Sequence, residues 1–229
     1  MSNKGVFYGV GVGPGDPELM TLKAVRVIEQ SPVICLLGDS LEGNVAFGIA
    51  KGAVANIMEK ELLFVDMPMV HDEEILSKAH ENSARKIEKV LDDGKDVAML
   101  ILGDISIYSS FMYLDDIVKN DGYETRMISG IPSFVAAAAR AGISLTRKGE
   151  ELRVIPICYD GKGESCESQV LATKVYMKIG RDISKLRKCC NDKSEIVVIE
   201  NCGMDNEKIY YSLKDLPEKL GYYSLAIVK

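Results

Sequence analysis

The sequence predicts an α/β protein of two α/β domains. Three observations carry this. Over the first half, apolar runs of four to eight residues alternate with longer stretches at helical spacing. After Ser129-Gly130-Ile131-Pro132 that alternation gives way to short strands separated by polar turns. The length of 229 residues suffices for one large domain or two small ones. The first domain is assigned to 1–129 with a mostly parallel sheet, the second to 130–229 with a mixed sheet, and a cleft is expected between them.

The runs at 5–12, 32–37, 62–67, 96–102 and 123–128 read as strands, and the stretches between them as crossover helices, because parallel neighbours need a long return connection. The first run ends in Gly9-Val10-Gly11-Val12-Gly13-Pro14-Gly15-Asp16. A dinucleotide-binding turn needs G-x-G-x-x-G, and both registers fail: the last place is Pro14 counted from Gly9 and Asp16 counted from Gly11. No Gly-Lys-Ser/Thr follows, so the loop is not a P-loop. A tight strand-to-helix turn and a ligand-lining loop both account for the glycines. A helix is expected from Pro17, whose missing N–H costs nothing at a first helical position, with Asp16 as its cap.

The stretch 72–93 is the clearest helix. Ile75, Ala79, Ala84, Ile87, Val90 and Leu91 form one stripe, Asp72, Glu73 and Glu74 suit its positive N-terminus, and Gly94 stops it. The run 96–102 leads into Gly103-Asp104-Ile105-Ser106-Ile107-Tyr108. There Asp104 either caps a helix through Tyr108 or faces a ligand, since ligands sit beyond the C-terminal strand ends of an open parallel sheet. Further on, a small-residue helix covers Ser133 to Ala141, strands are expected near 153–157, 174–178, 195–200 and 222–228, and residues 159–168 read as an exposed loop.

Lys and Arg total 28 against 34 Asp and Glu, a net charge of −6, so no global positive field favours a nucleic acid. The six cysteines, Cys35, Cys158, Cys166, Cys189, Cys190 and Cys202, contain no C-x-x-C pair, and only His71 and His80 add nitrogen ligands, so no metal is expected and the thiols read as reduced. The opening residues break their apolar character with glycine and proline, unlike a secretory signal, and no run approaches the ~18 apolar residues of a membrane span. The expected setting is cytoplasmic, without a membrane partner.

Taken together, FYGVGVGPGDPELMTLKAVRVIE from Phe7, DMPM at 66–69, LGDISIYSSFMYL at 102–114 and SGIPSFVAAAARAGISL at 129–145 resemble the tetrapyrrole methylases. These are S-adenosylmethionine-dependent methyltransferases of cobalamin and siroheme synthesis. The wording is most similar to the members that methylate carbon 20 of precorrin-2 or its cobalt complex. The resemblance implies S-adenosylmethionine in the cleft between two α/β domains of a homodimer. It implies that Pro14 borders the methionine part and that Leu102, Gly103, Asp104 and Ile107 contact the cofactor mainly through backbone. Pro132 and Ser133 then lie opposite, Met177 packs beside the adenosine, and Cys202 or Gly203 supplies the following loop.

Two departures stand out. The family usually has Gly-Asp-Pro where this chain has Gly103-Asp104-Ile105, so a less rigid loop is expected. The acidic residue that follows the second strand in uroporphyrinogen methylases has its nearest counterpart in Asp39, to which no role is assigned. The implied reaction displaces the sulfonium methyl onto an electron-rich ring carbon, with catalysis mostly by alignment. Asp104 leads, and Tyr108 follows, as acceptor of the departing proton. Arg147, Lys148 and Arg153, with Lys23 or Arg26, are candidates for the substrate's acetate and propionate groups. The alternatives are a methylase of another tetrapyrrole such as uroporphyrinogen III, or a non-catalytic nucleotide-binding sensor.

Overall fold

The structure, a computed structural model, describes residues 4–70, 72–157, 172–190 and 194–229. Its chain divides into two compact units, Met1–Pro132 and Ser133–Lys229. His71, Cys158, Cys166 and the segment 159–168 lie outside the described residues.

Unit 1 runs β1 (Val6–Gly11), α1 (Leu22–Gln30), β2 (Val33–Leu37), α2 (Val45–Ala53), β3 (Glu61–Val65), α3 (Glu73–Asp92), β4 (Val97–Ile101), α4 (Phe111–Asn120) and β5 (Glu124–Ile128). All five strands are parallel, in the order β3-β2-β4-β1-β5. The inner strands β2 and β4 are near-continuous apolar runs because both sheet faces are covered there, whereas the edge strand β5 is largely polar and exposed. Ala98 and Leu100 of β4 pack with Ala24 and Ile28 of α1 and with Phe47 and Ala50 of α2. Val97, Met99 and Ile101 pack on the other face with Ala84, Ile87 and Leu91 of α3 and with Phe111 and Leu114 of α4. Alternate residues of one strand therefore feed two cores.

Three local expectations are corrected. Pro17 opens only a 3-10 turn, Pro17–Leu19, whose cap Asp16 accepts from the Glu18 N–H at 2.9 Å. Met20 is then extended, and the α-helix starts at Leu22 under a Thr21 cap. No helix runs through Tyr108: it takes a left-handed φ of 50°, which ends any helical turn there, and α4 begins at Phe111. In α3 the Asp72 cap is present, accepting from Glu74 and Ile75 N–H groups, but Ile75 is 52% exposed and the stripe is buried only from Ser83 and Ala84 onward.

Unit 2 contains α5 (Ser133–Arg140), β6 (Glu151–Pro156), β7 (Ala172–Met177), α6 (Ile183–Cys189), β8 (Ile196–Glu200), β9 (Lys208–Tyr210) and β10 (Ser224–Val228). The sheet order is β6-β7-β10-β8-β9, with β6 and β7 parallel and the other pairs antiparallel. Tyr176, Ile179, Leu186, Val198 and Ala226 centre its core. The three-residue β9 has no counterpart in the sequence pattern, being too short for a period of two to register. Cys35, Cys190 and Cys202 are free thiols, whereas Cys189 is disulfide-bonded, against the expectation of reduced thiols throughout.

Candidate functional site

Parallel strands deliver their loops to one edge, so the turns after β1, β4 and β5 emerge side by side. Gly13 and Gly103 form an isolated β-bridge: the Gly13 N–H donates to the Gly103 carbonyl at 3.1 Å and the Gly103 N–H to the Gly13 carbonyl at 2.8 Å. Their φ angles, 79° and 78°, lie in the left-handed region that glycine enters without strain. Gly11 and Gly130 complete the junction. A Cβ on Gly11 would fall 2.6 Å from the Gly130 nitrogen, and one on Gly130 would fall 2.2 Å from the Gly103 oxygen. Backbone here rests directly on backbone, with no room for a side chain. Gly9 serves packing instead, since its missing Cβ leaves space for the Phe111 ring.

Asp104 is 8% exposed and joins two of these loops. Its Oδ1 accepts from the Ser106 N–H at 2.9 Å and from the Ser106 hydroxyl at 2.5 Å. Its Oδ2 accepts from the Gly130 N–H at 2.9 Å, across 26 residues of sequence. Thr21 adds a further link: its hydroxyl caps α1 and donates to the Ser129 carbonyl at 3.2 Å. Ile105, standing where the family has proline, is 1% exposed and packs with Ile101 and Phe111. Ile105 thus anchors the loop in the apolar core, by packing rather than by a proline ring.

Around this junction Pro14, Gly103 and Asp104 are buried, while Leu102, Ile107 and Pro132 are half-buried; Ser133, the first residue of unit 2, is half-buried as well. Tyr108 is 43% exposed. The residues suit S-adenosylmethionine, which carries no phosphate: the glycines let the loops pack close, and half-buried apolar groups such as Leu102, Ile107 and Pro132 border the junction. Asp39, Lys23 and Arg26 are exposed.

In unit 2, Met177 closes β7 half-buried, opposite Pro156 and Leu225. Cys202 is buried, and that burial pushes its thiol up to about 11. The Gly203 N–H donates to Glu207 Oε2 at 2.7 Å, and Glu207 in turn receives the Arg140 guanidinium at 2.9 to 3.2 Å. Burial drives the Glu207 carboxyl up, but the Arg140 guanidinium and the Gly203 N–H outweigh it and hold the group below its ordinary range. Nothing in the sequence pattern pointed to Arg140 or Glu207. Among the described residues the non-glycine positive φ angles belong to Tyr108, in the loop between β4 and α4, and to Lys178 and Asn201, which directly follow β7 and β8. Such backbone concentrates at functional edges.

The basic residues fit less well. Arg147 and Lys148 are exposed in the turn before β6, where the Arg147 N–H donates to Glu150 at 2.7 Å. Arg153 lies mid-strand opposite Lys174 and pairs with Glu151 at 3.2 Å. Neither stands beside Met177, Cys202 or Gly203 in the strand register. Among the described residues no group of three or more His, Cys, Asp or Glu is arranged to hold a metal, and His80 stacks on Tyr113 at 5.0 Å.

Comparison with known proteins matches residues 6–217 to the family described as Tetrapyrrole (Corrin/Porphyrin) Methylases. A protein of Methanocaldococcus jannaschii named probable cobalt-precorrin-2 C(20)-methyltransferase is 33% identical over 97% of this chain and 95% of its own. A Sinorhizobium protein named precorrin-2 C(20)-methyltransferase is 27% identical over 100% of this chain and 97% of its own. Among solved structures, the uroporphyrin-III C-methyltransferase of Thermus thermophilus complexed with S-adenosylhomocysteine shares the fold at a TM-score of 0.65 and 20% identity, over 98% of this chain and 97% of that one.

Proposed function

Because the chain belongs to the tetrapyrrole (corrin/porphyrin) methylases, we propose that it transfers a methyl group from S-adenosylmethionine to carbon 20 of cobalt-precorrin-2 or precorrin-2 in cobalamin biosynthesis. The observation that carries the reading is the junction of Gly11, Gly103 and Gly130, which brings the three motif loops to one edge of the parallel sheet. The names of the two relatives support the ring and the carbon position.

S-adenosylmethionine supplies an electrophilic methyl on a sulfonium, and the reduced ring supplies the carbon nucleophile. The chain's task is to hold the two at attack distance, and alignment of this kind is worth roughly 7–11 kcal/mol. Leu102, Ile107, Pro132 and Ser133, half-buried around the junction, are proposed to flank the cofactor, with Pro14, Gly103 and Asp104 shaping the backbone behind them. In unit 2, Met177, Cys202 and Gly203 are the residues the resemblance nominates for cofactor contact. The new bond forms between ring carbon and methyl, the carbon–sulfur bond breaks, and a proton leaves the ring. Tyr108, exposed on the β4 loop, is the candidate to orient the water that takes that proton. Arg147, Lys148 and Arg153 remain proposed partners of the ring carboxylates, Arg153 after release from Glu151. Assembly as a homodimer is carried over from the resemblance, and light scattering on the purified chain checks it.

Incubation of the purified protein with S-adenosylmethionine and precorrin-2, with and without cobalt, is the deciding experiment. The expected result is release of S-adenosylhomocysteine in step with a single methyl gained at carbon 20. Cofactor binding without a methylated ring would assign a sensor, and methylation of uroporphyrinogen III alone would move the protein to the other branch of the family.

A further inference from the structure

We propose that Asp104 is a positioning residue that locks the β4 loop to the β5 loop and so shapes the cofactor surface, and that it is not the proton acceptor of the reaction. The inference rests on the reading of this junction as the S-adenosylmethionine site.

The sequence offers Asp104 as a base because it is acidic and stands in the motif. The structure gives both of its oxygens other work. Oδ1 receives the Ser106 N–H and hydroxyl, closing a turn within its own loop, and Oδ2 receives the Gly130 N–H of the next loop. A carboxylate that accepts from both sides spans two loops as no neutral side chain of its size can, because an amide or hydroxyl presents a donor on one side. The bond to Gly130 also answers for a half-buried backbone N–H, whose loss of a partner is costly. Gly130 in turn lies against Gly103 and Gly11 with no side chain between them. Small shifts at Asp104 therefore move the Leu102–Ile107 segment against Ile131 and Pro132.

The same contacts argue against general-base chemistry. To take a proton, Asp104 must turn an acceptor oxygen into a donor. Oδ1 already faces two donors, so a proton placed there would set O–H against N–H. A proton on the second lone pair of Oδ2 would remove the negative charge that strengthens the Gly130 N–H bond and so weaken the link between the loops. At 8% exposure the side chain also offers little open surface to a ring carbon.

The test compares Asp104→Asn and Ser106→Ala with the wild type. It measures S-adenosylhomocysteine affinity by calorimetry, KM for S-adenosylmethionine, kcat with the ring substrate, and the pH profile of kcat. Asp104→Asn keeps the shape but sets an NH2 against one loop. It is expected to weaken S-adenosylhomocysteine binding and raise KM about tenfold or more, while kcat at saturating cofactor and the position of its pH profile are retained. Ser106→Ala, which leaves the bond to Gly130, is expected to do the same to a smaller extent, about threefold. Unchanged cofactor affinity in folded Asp104→Asn, with kcat down about a hundredfold and the acidic limb of the profile lost, would make Asp104 the base and overturn the proposal. Should Asp104→Asn fail to fold, Ser106→Ala decides: unchanged affinity counts against the proposal and weakened affinity with an unmoved pH profile for it. A wild type that binds no S-adenosylhomocysteine would instead overturn the functional reading itself.

Discussion

A methyl group decides the geometry at residue 130. Placed there it meets the Gly103 oxygen at 2.2 Å and the Gly11 carbonyl group at 2.7 and 2.8 Å, all of it backbone that cannot swing aside. Gly130→Ala is therefore expected to lower stability by about 1–3 kcal/mol and to weaken cofactor binding, read by thermal melting and calorimetry. Gly48→Ala in α2 is the matched control: nothing lies within 4 Å of its added Cβ, and the substitution should stabilise by roughly 0.5–1 kcal/mol. A second prediction concerns thiols. Burial pushes Cys35 far up and Cys202 up to about 11, so both should resist iodoacetamide at pH 8 in the folded protein and react after denaturation, as peptide mapping by mass spectrometry would report. The glycines of the junction were visible in the sequence as clusters. Which glycine meets which was not, because Gly11 ends β1 while Gly103 and Gly130 follow β4 and β5, strands whose spatial order β4-β1-β5 differs from their chain order. For the same reason the partner of Asp104, 26 residues away, left no local trace.

Helices and strands followed their sequence patterns where tertiary burial was strong on both sides, as in the inner strands β2 and β4. Patterns misled where a short-range feature had a competing local use. Asp16 caps a single 3-10 turn and Thr21 starts the real helix, because Met20 is extended between them. The small-residue segment 133–141 did become α5, since alanines lose little on entering a helix. The ends of α3 and α4 supply a pH-dependent prediction. Burial raises the Glu88 carboxyl above its ordinary range, and the hydrogen bond and charge of Asp121 raise it further, with Asp92 adding to the effect. A group whose folded value exceeds its unfolded one stabilises fully below the unfolded value, about 4.3, and loses that contribution as pH rises through the folded value. Both carboxyls also stand near negative helix ends. Glu88→Gln is expected to raise the melting temperature at pH 7 and to leave it nearly unchanged at pH 4, and calorimetry at the two pH values would check it.

At the scale of the molecule, ligand linkage gives the most direct test of the proposed cofactor. S-adenosylhomocysteine at a hundredfold excess over its Kd should add about 2.7 kcal/mol to the stability of the state that binds it, a rise of several degrees in Tm for a chain of this length. 5′-Methylthioadenosine, which lacks the amino-acid part, should give less. Acid should act in the opposite direction on unit 2. The Glu207 carboxyl is held below its ordinary range by Arg140 and Gly203, so its contribution is present above the unfolded value and is lost as pH falls through the folded one. Glu207→Gln should accordingly melt lower than wild type at pH 7 and match it in strong acid. The strand order of unit 1 carries one more consequence, for synthesis on the ribosome. β1 emerges first, yet its two neighbours are β4 and β5. At a translation rate of about 5–20 residues per second, the leading hairpinless segment waits on the order of ten seconds for partners, and a chaperone that shields nascent apolar chain has that interval in which to act.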